Sequence, residues 1–134
     1  MRAGVVFFAE KKKSAMIEIA RGLAKGLEAA GHRVDIIDGL EDSNVRLTMF
    51  EYIAVGCESL SFFTGRISDR IPSFLANSGM ISGKRSFAFA IRHPFSARRA
   101  LSRVMKCMEK EGMYLKFSDV LLSASHAESV GRNL

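Results

Sequence analysis

Two cysteines and three histidines in 134 residues leave little room for a disulfide framework or a metal site. Cys57 and Cys107 stand far apart in the sequence, and no Cys/His spacing matches a zinc site, so both thiols are expected to be reduced and at least partly buried. No apolar stretch approaches the length of a membrane span. The start, Met1 to Phe8, gives too short an apolar run before Glu10 and three lysines to act as a signal peptide, which points to a cytoplasmic protein without membrane contact. Repeats, low-complexity tracts and Pro/Gly/Ser linkers are absent as well. Neither Gly-x-Gly-x-x-Gly nor Gly-x4-Gly-Lys-Ser/Thr occurs, which removes the common dinucleotide and nucleoside-triphosphate signatures.

What is present describes one ordered domain over residues 1–134, because 48% hydrophobic and 25% charged residues are enough for a well-buried core but the chain is too short for two domains. The net charge of +6 is unevenly placed. Residues 1–83 carry ten Lys/Arg and ten Asp/Glu, whereas residues 84–134 carry ten Lys/Arg and four Asp/Glu. A basic second half attracts anionic cofactors, nucleic acid or acidic proteins without choosing among them.

Hydrophobic patterning predicts alternating strands and helices. Gly4 to Ala9 is a continuous apolar run of strand length, as expected for a strand buried on both faces of a parallel sheet. Met16, Ala20, Leu23, Leu27 and Ala30 then recur at spacings of three and four, predicting an amphipathic helix with Ser14 as N-cap and Gly31 just past its end. Further strands are predicted at 32–38, 52–56, 86–91 and 114–123. Helices are predicted near 68–77, with Pro72 in the first turn, and over 97–111, with Ser96 as N-cap. Helical crossovers between strands imply parallel neighbours and right-handed connections. The fold class that follows is α/β: a three-layer, doubly wound, five-stranded parallel sheet in the order 2-1-3-4-5.

The order of elements, three loops at strand carboxyl ends, and the phrases Ile19-Ala20-Arg21-Gly22-Leu23 and Ala29 to Asp38 make residues 2–122 resemble the flavodoxin-like family. The resemblance implies flavin mononucleotide (FMN) as cofactor, electron transfer as function and a redox partner protein. The first loop would hold the phosphate through Glu10, Lys11, Lys12, Lys13 and Ser14. It departs from the family's Ser/Thr-x-Thr-Gly-x-Thr pattern, being shorter, without the glycine and with only the last hydroxyl. Its lysines either add charge for a phosphate or form a solvated basic turn. In the second loop, Ser59, Phe62, Phe63, Thr64 and Gly65 would embrace the flavin ring, one phenylalanine stacking on it. Packing under the loop or at an interface explains the same aromatics. In the third, Arg92, His93 and Phe95 would meet the ring edge, although a structural histidine and a helix cap fit equally well.

Other activities of this topology fail on residues. A phosphoacceptor receiver needs an aspartate after strand 3 and a lysine after strand 5, where this chain has Cys57-Glu58 and no lysine after Leu122. A low-molecular-weight phosphatase needs Cys-x5-Arg, but eight residues separate Cys57 from Arg66. No catalytic residue is assigned. Arg99, Arg103, Lys106 and Lys110 lie at helical spacings and form a basic stripe, so the alternative is a flavin-free interaction module that meets an acidic protein, or less readily a nucleic acid, through this face. Residues 124–134 hold few apolar positions, so the last helix is expected to be short or absent. An uncovered first helix would then favour a homodimer.

Overall fold

The computed structural model describes residues 1–42 and 44–134. Five strands, β1 (Arg2–Phe8), β2 (Arg33–Asp38), β3 (Tyr52–Cys57), β4 (Arg85–Ile91) and β5 (Tyr114–Leu121), form one sheet in the order β2-β1-β3-β4-β5. Every neighbouring pair is parallel. Four helices cover it: α1 (Lys13–Ala29), α2 (Arg70–Ala76), α3 (Ala97–Lys110) and α4 (Ala124–Arg132). The topology is the one the sequence pattern predicts, with element ends shifted by one or two residues and a 3-10 turn at Leu47–Met49 in the polar connection between β2 and β3.

The continuous apolar runs explain which strands are central. β1, β3 and β4 are buried on both faces, with Val6 and Phe8 packing against Ile71 and Val104 on the α2/α3 side. Val5 and Phe7 pack with Met16 and Leu23 on the α1/α4 side. Alternation along one strand thus feeds two cores. The edge strands β2 and β5 are mostly exposed, in keeping with their mixed polarity. Among the described residues, no helix is long and apolar enough to cross a membrane.

Three details differ from the sequence expectations. Ser14 is not the cap of α1: the N-cap position is Lys12, and no side chain of its own turn caps the helix. Gly31 does follow α1 in the left-handed region at φ +98°, as expected of a residue just past a helix end. The last helix is short, as expected, yet it covers α1 closely. A Cβ on Gly22 or Gly26 would strike the carbonyl oxygens of Ala124 or Glu128, and one on Gly131 would lie 2.5 Å from the Leu23 carbonyl oxygen. Small residues therefore let two backbones touch, and α4 needs few large apolar side chains to stay docked. Its start is capped by Ser123, which accepts the His126 amide at 3.1 Å. Glu128 adds ion pairs to Lys25 at 3.8 Å and Arg132 at 2.6 Å. The open flank that motivated the homodimer is therefore covered.

Candidate functional site

The carboxyl ends of β1, β3 and β4 carry the three predicted loops side by side, because Phe8 pairs with Cys57 and Cys57 with Ala90 in register. The structure therefore brings the sequence-predicted residues to one edge of the sheet. Their side chains are arranged differently from the expectation.

In the first loop the amides are already in use. The backbone N–H groups of Glu10, Lys11 and Lys12 converge on the carboxylate of Glu58, the residue after β3. Lys11 donates to Oε1 at 2.7 Å and Lys12 to Oε2 at 2.9 Å, while Glu10 donates to Oε1 in a short contact. Glu58 is only 2% exposed. These amides lead into Lys12, the N-cap position of α1, and the start of a helix carries partial positive charge, so an anion is favoured there. Here the anion is the protein's own.

The neighbouring side chains confirm that the loop is engaged internally. Lys11 Nζ donates to the Leu60 carbonyl at 3.1 Å, tying the first loop to the second. Lys13 pairs with Asp38 at 3.2 Å and reaches Glu41 at 3.8 Å, so it points toward β2. Ser14 and the Lys12 side chain are exposed.

The second loop is closed by its own polar groups. Leu60 N–H donates to the Arg66 carbonyl at 2.6 Å, Arg66 N–H to Ser61 Oγ at 3.0 Å, and the Ser61 and Thr64 hydroxyls lie 2.5 Å apart. Gly65 adopts φ +71° and sits so close to α3 that a Cβ there would be 2.5 Å from Arg99 Cβ. Arg99 and Arg103 then donate to the carbonyls of Phe63 at 2.8 Å and Thr64 at 3.2 Å. Thr64 and Gly65 are thus loop-fixing residues, and the result is a rigid loop with Phe62 and Phe63 at its tip. Ser59 is buried against Ser96, with their hydroxyls 2.6 Å apart and both within reach of the Ser61 carbonyl.

In the third loop His93 folds back on the turn that leads into α3, whose N-cap position is Ser96. Its Nδ1 accepts the amides of Phe95 and Ser96, each at 3.2 Å, which requires that nitrogen to be unprotonated. Ser96, the expected cap, makes no side-chain cap bond, because its hydroxyl is turned toward the second loop. Arg92 is exposed.

The aromatic residues of loops two and three pack on one another. Phe62 lies 4.8 Å from Phe63, 4.7 Å from Phe95 and 6.0 Å from His93, ring centre to ring centre, and Phe63 lies 5.7 Å from Phe95. All three phenylalanines remain more than half exposed. Beside this cluster, an open groove of about 680 Å³ runs between the end of the second loop and α3, lined by Arg66, Arg99, Arg103 and Lys106 with Asp69 the one carboxylate among them. Among the described residues, none of these four cations has a carboxylate within 4 Å. The described residues include no cluster of side chains able to hold a metal ion. Both cysteines are free, and burial pushes the Cys57 thiol far up and the Cys107 thiol up, so neither is a poised nucleophile.

Glu58 and Ser96 are the site residues that sequence reasoning missed. The only signal for Glu58 was a lone carboxylate directly after a buried central strand, beside an amide-rich loop whose hydroxyls and glycine were gone.

No protein-family model and no curated protein sequence matches the chain. Solved structures do. Oxidised flavodoxin 1 from Bacillus cereus superimposes with a TM-score of 0.75 at 14% identity, covering 98% of this chain and 95% of that one. A flavodoxin from the domain Archaea gives 0.73 at 17% identity over 99% and 95%. A short-chain flavodoxin associated with a non-canonical PDU bacterial microcompartment gives 0.73 at 13% identity over 100% and 96%. The chain therefore has the flavodoxin-like fold across its whole length.

The residues at the flavodoxin phosphate position do not fit FMN in this arrangement. A phosphate would compete for three amides with a buried carboxylate and be repelled by it. The aromatic rings of the second and third loops contact one another.

Proposed function

We propose that this chain is a flavodoxin-fold binding protein that works without a resident flavin. Its contact surface is the carboxyl edge of the sheet, where the Phe62, Phe63 and Phe95 cluster stands next to the basic groove on α3. The observation that carries this reading is the Glu58 carboxylate on the amides of Glu10, Lys11 and Lys12. With its own anion in that position, the fold is complete without a phosphate. Exposed aromatics next to arginines have the composition of interaction hot spots, and a rigid loop presents them at little ordering cost. Cations along the groove that have no carboxylate within 4 Å among the described residues favour a partner with an acidic surface. A second copy of this chain is a further candidate for the aromatic patch, and light scattering with and without Phe63→Ser separates a homodimer from a hetero-complex.

The second reading is electron transfer with conditionally bound FMN, favoured by the placement of Phe62, Phe63 and Phe95 on the same sheet edge as the first loop. It requires Glu58 to leave the amides first. The test is a visible spectrum of the purified protein followed by titration of FMN with fluorescence quenching as readout. The flavin-free reading expects a colourless protein and no quenching at high micromolar flavin. A yellow protein, or saturable stoichiometric quenching, overturns it.

A further inference from the structure

The basic groove beside the second loop does not end with that loop. A second depression of about 440 Å³ shares Pro72, Lys106 and Cys107 with it and carries it on to Lys110 and Glu111. Together they follow the seam between α2 and α3, away from the sheet edge that holds the aromatic cluster. The two walls differ. α3 contributes Arg99, Arg103, Lys106 and Lys110, at spacings of four, three and four, so the cations form one row about 16 Å long at the helical rise. α2 contributes Pro72, Ser73 and Ala76, none of them charged. Between the walls Ile67 is buried and Cys107 half-buried. Two cations of the row are also held in place, since the carbonyls of Phe63 and Thr64 accept Arg99 Nη1 and Arg103 Nε. Each guanidinium uses one of its five N–H groups in that bond. Among the described residues, no cation of the row has a carboxylate within 4 Å.

We propose that this groove holds a helical segment of a partner protein, with a row of carboxylates toward α3 and small apolar residues toward Pro72 and Ala76. The inference rests on the flavin-free binding reading and names its partner. Carboxylates at spacings of three and four on a helix repeat at the same rise as the cations on α3, so the two rows stay in step over three turns. An extended segment places like side chains about 6.6 Å apart and falls about 3 Å out of step over that length. Because the loop carbonyls order Arg99 and Arg103 before a partner arrives, less side-chain freedom is lost on binding. A nucleic acid fits less well. Asp69 and Glu111 line the same groove and repel phosphates, and the α2 wall offers no cation to a second row.

Fluorescence anisotropy of the whole protein with a labelled probe peptide tests the assignment. The probe is an Ala/Leu-based helix of about three turns, stapled on its far side, with glutamates at spacings of four, three and four. Saturable binding is expected. It should be weaker by about tenfold or more for the same composition with glutamates scattered round the helix, for an unstapled version broken by a central proline, and for duplex DNA of matched length. Lys106→Glu with Lys110→Glu, at two exposed positions, should weaken the probe by about tenfold or more at an unchanged melting temperature. Arg21→Glu with Arg33→Glu makes the same change in net charge on α1 and β2, and should alter affinity by less than about twofold. No saturable binding, equal binding of the scattered peptide, the broken peptide or DNA, or equal losses in the two double variants would each overturn the inference. FMN titration of the same sample reads the flavin-free proposal separately. Absence of peptide binding in a protein that also ignores FMN strikes this inference alone, whereas saturable FMN binding strikes the reading on which it rests.

Discussion

Two helices begin at the same edge of the sheet, and they meet the same electrostatic problem in opposite ways. The start of α3 is served locally: His93, three residues before Ser96, accepts two amides of its own turn. The start of α1 is served from a distance, by Glu58 on the loop after β3, at a sequence separation of 46 to 48 residues. A local acceptor steadies one turn. A distant carboxylate does more, because it locks two loops together and occupies amides at a strand-to-helix turn, where an external anion is otherwise favoured. The difference teaches that a strand-to-helix turn without an external anion need not leave its amides unsatisfied, provided another part of the chain brings a charge of the right sign.

The comparison breaks most readily at Glu58. Glu58→Ala leaves three partly buried amides without their acceptor and should lower stability by about 3 kcal/mol, measured by urea denaturation. A loss below about 0.5 kcal/mol would mean that the carboxylate is incidental. Glu58→Gln keeps the shape and removes the charge, so inorganic phosphate or FMN should bind the variant more tightly than the parent, by about tenfold on titration. Equal affinities would show that the internal anion does not govern this position. At α3 the effect should be smaller. His93→Ala removes the acceptor of two turn amides at a cost of about 1 kcal/mol, and His93→Asn, whose side-chain oxygen can accept amides in the same kind of turn, should recover most of it. The smallest effect belongs to Ser14→Ala, a position inside the first turn that caps nothing: the change in stability should stay within about 0.5 kcal/mol. A loss as large as that of His93→Ala would restore Ser14 as the cap.

Much of this fold was legible because its signals are local or periodic. Uninterrupted runs such as Val5 to Ala9 mark central strands, spacings of three and four mark α1 and α3, and crossover connections restrict the strand order. The last helix was harder to read. α4 docks through the glycines Gly22, Gly26 and Gly131, and a contact made by absent side chains leaves no apolar pattern. The site was legible in position but not in arrangement. Sequence order placed Ser59, Phe62 and Phe63 and also Arg92, His93 and Phe95 at one edge, since loops inherit their position from the strands that lead into them. It could not reveal that the three phenylalanines contact one another, or that Ser96 turns away from its helix to meet Ser59 and Ser61. Glu58 was the hardest of all, because its partners are backbone amides, which every residue but proline supplies and which no side-chain motif records.

Amide hydrogen exchange at Glu10, Lys11 and Lys12, followed residue by residue by nuclear magnetic resonance with and without FMN, tests the central claim most directly. Protected amides that FMN neither shifts nor deprotects, with protection lost in Glu58→Ala, are the expected result. Unprotected amides in the parent protein, or saturable shifts of these three signals on adding FMN, would contradict it.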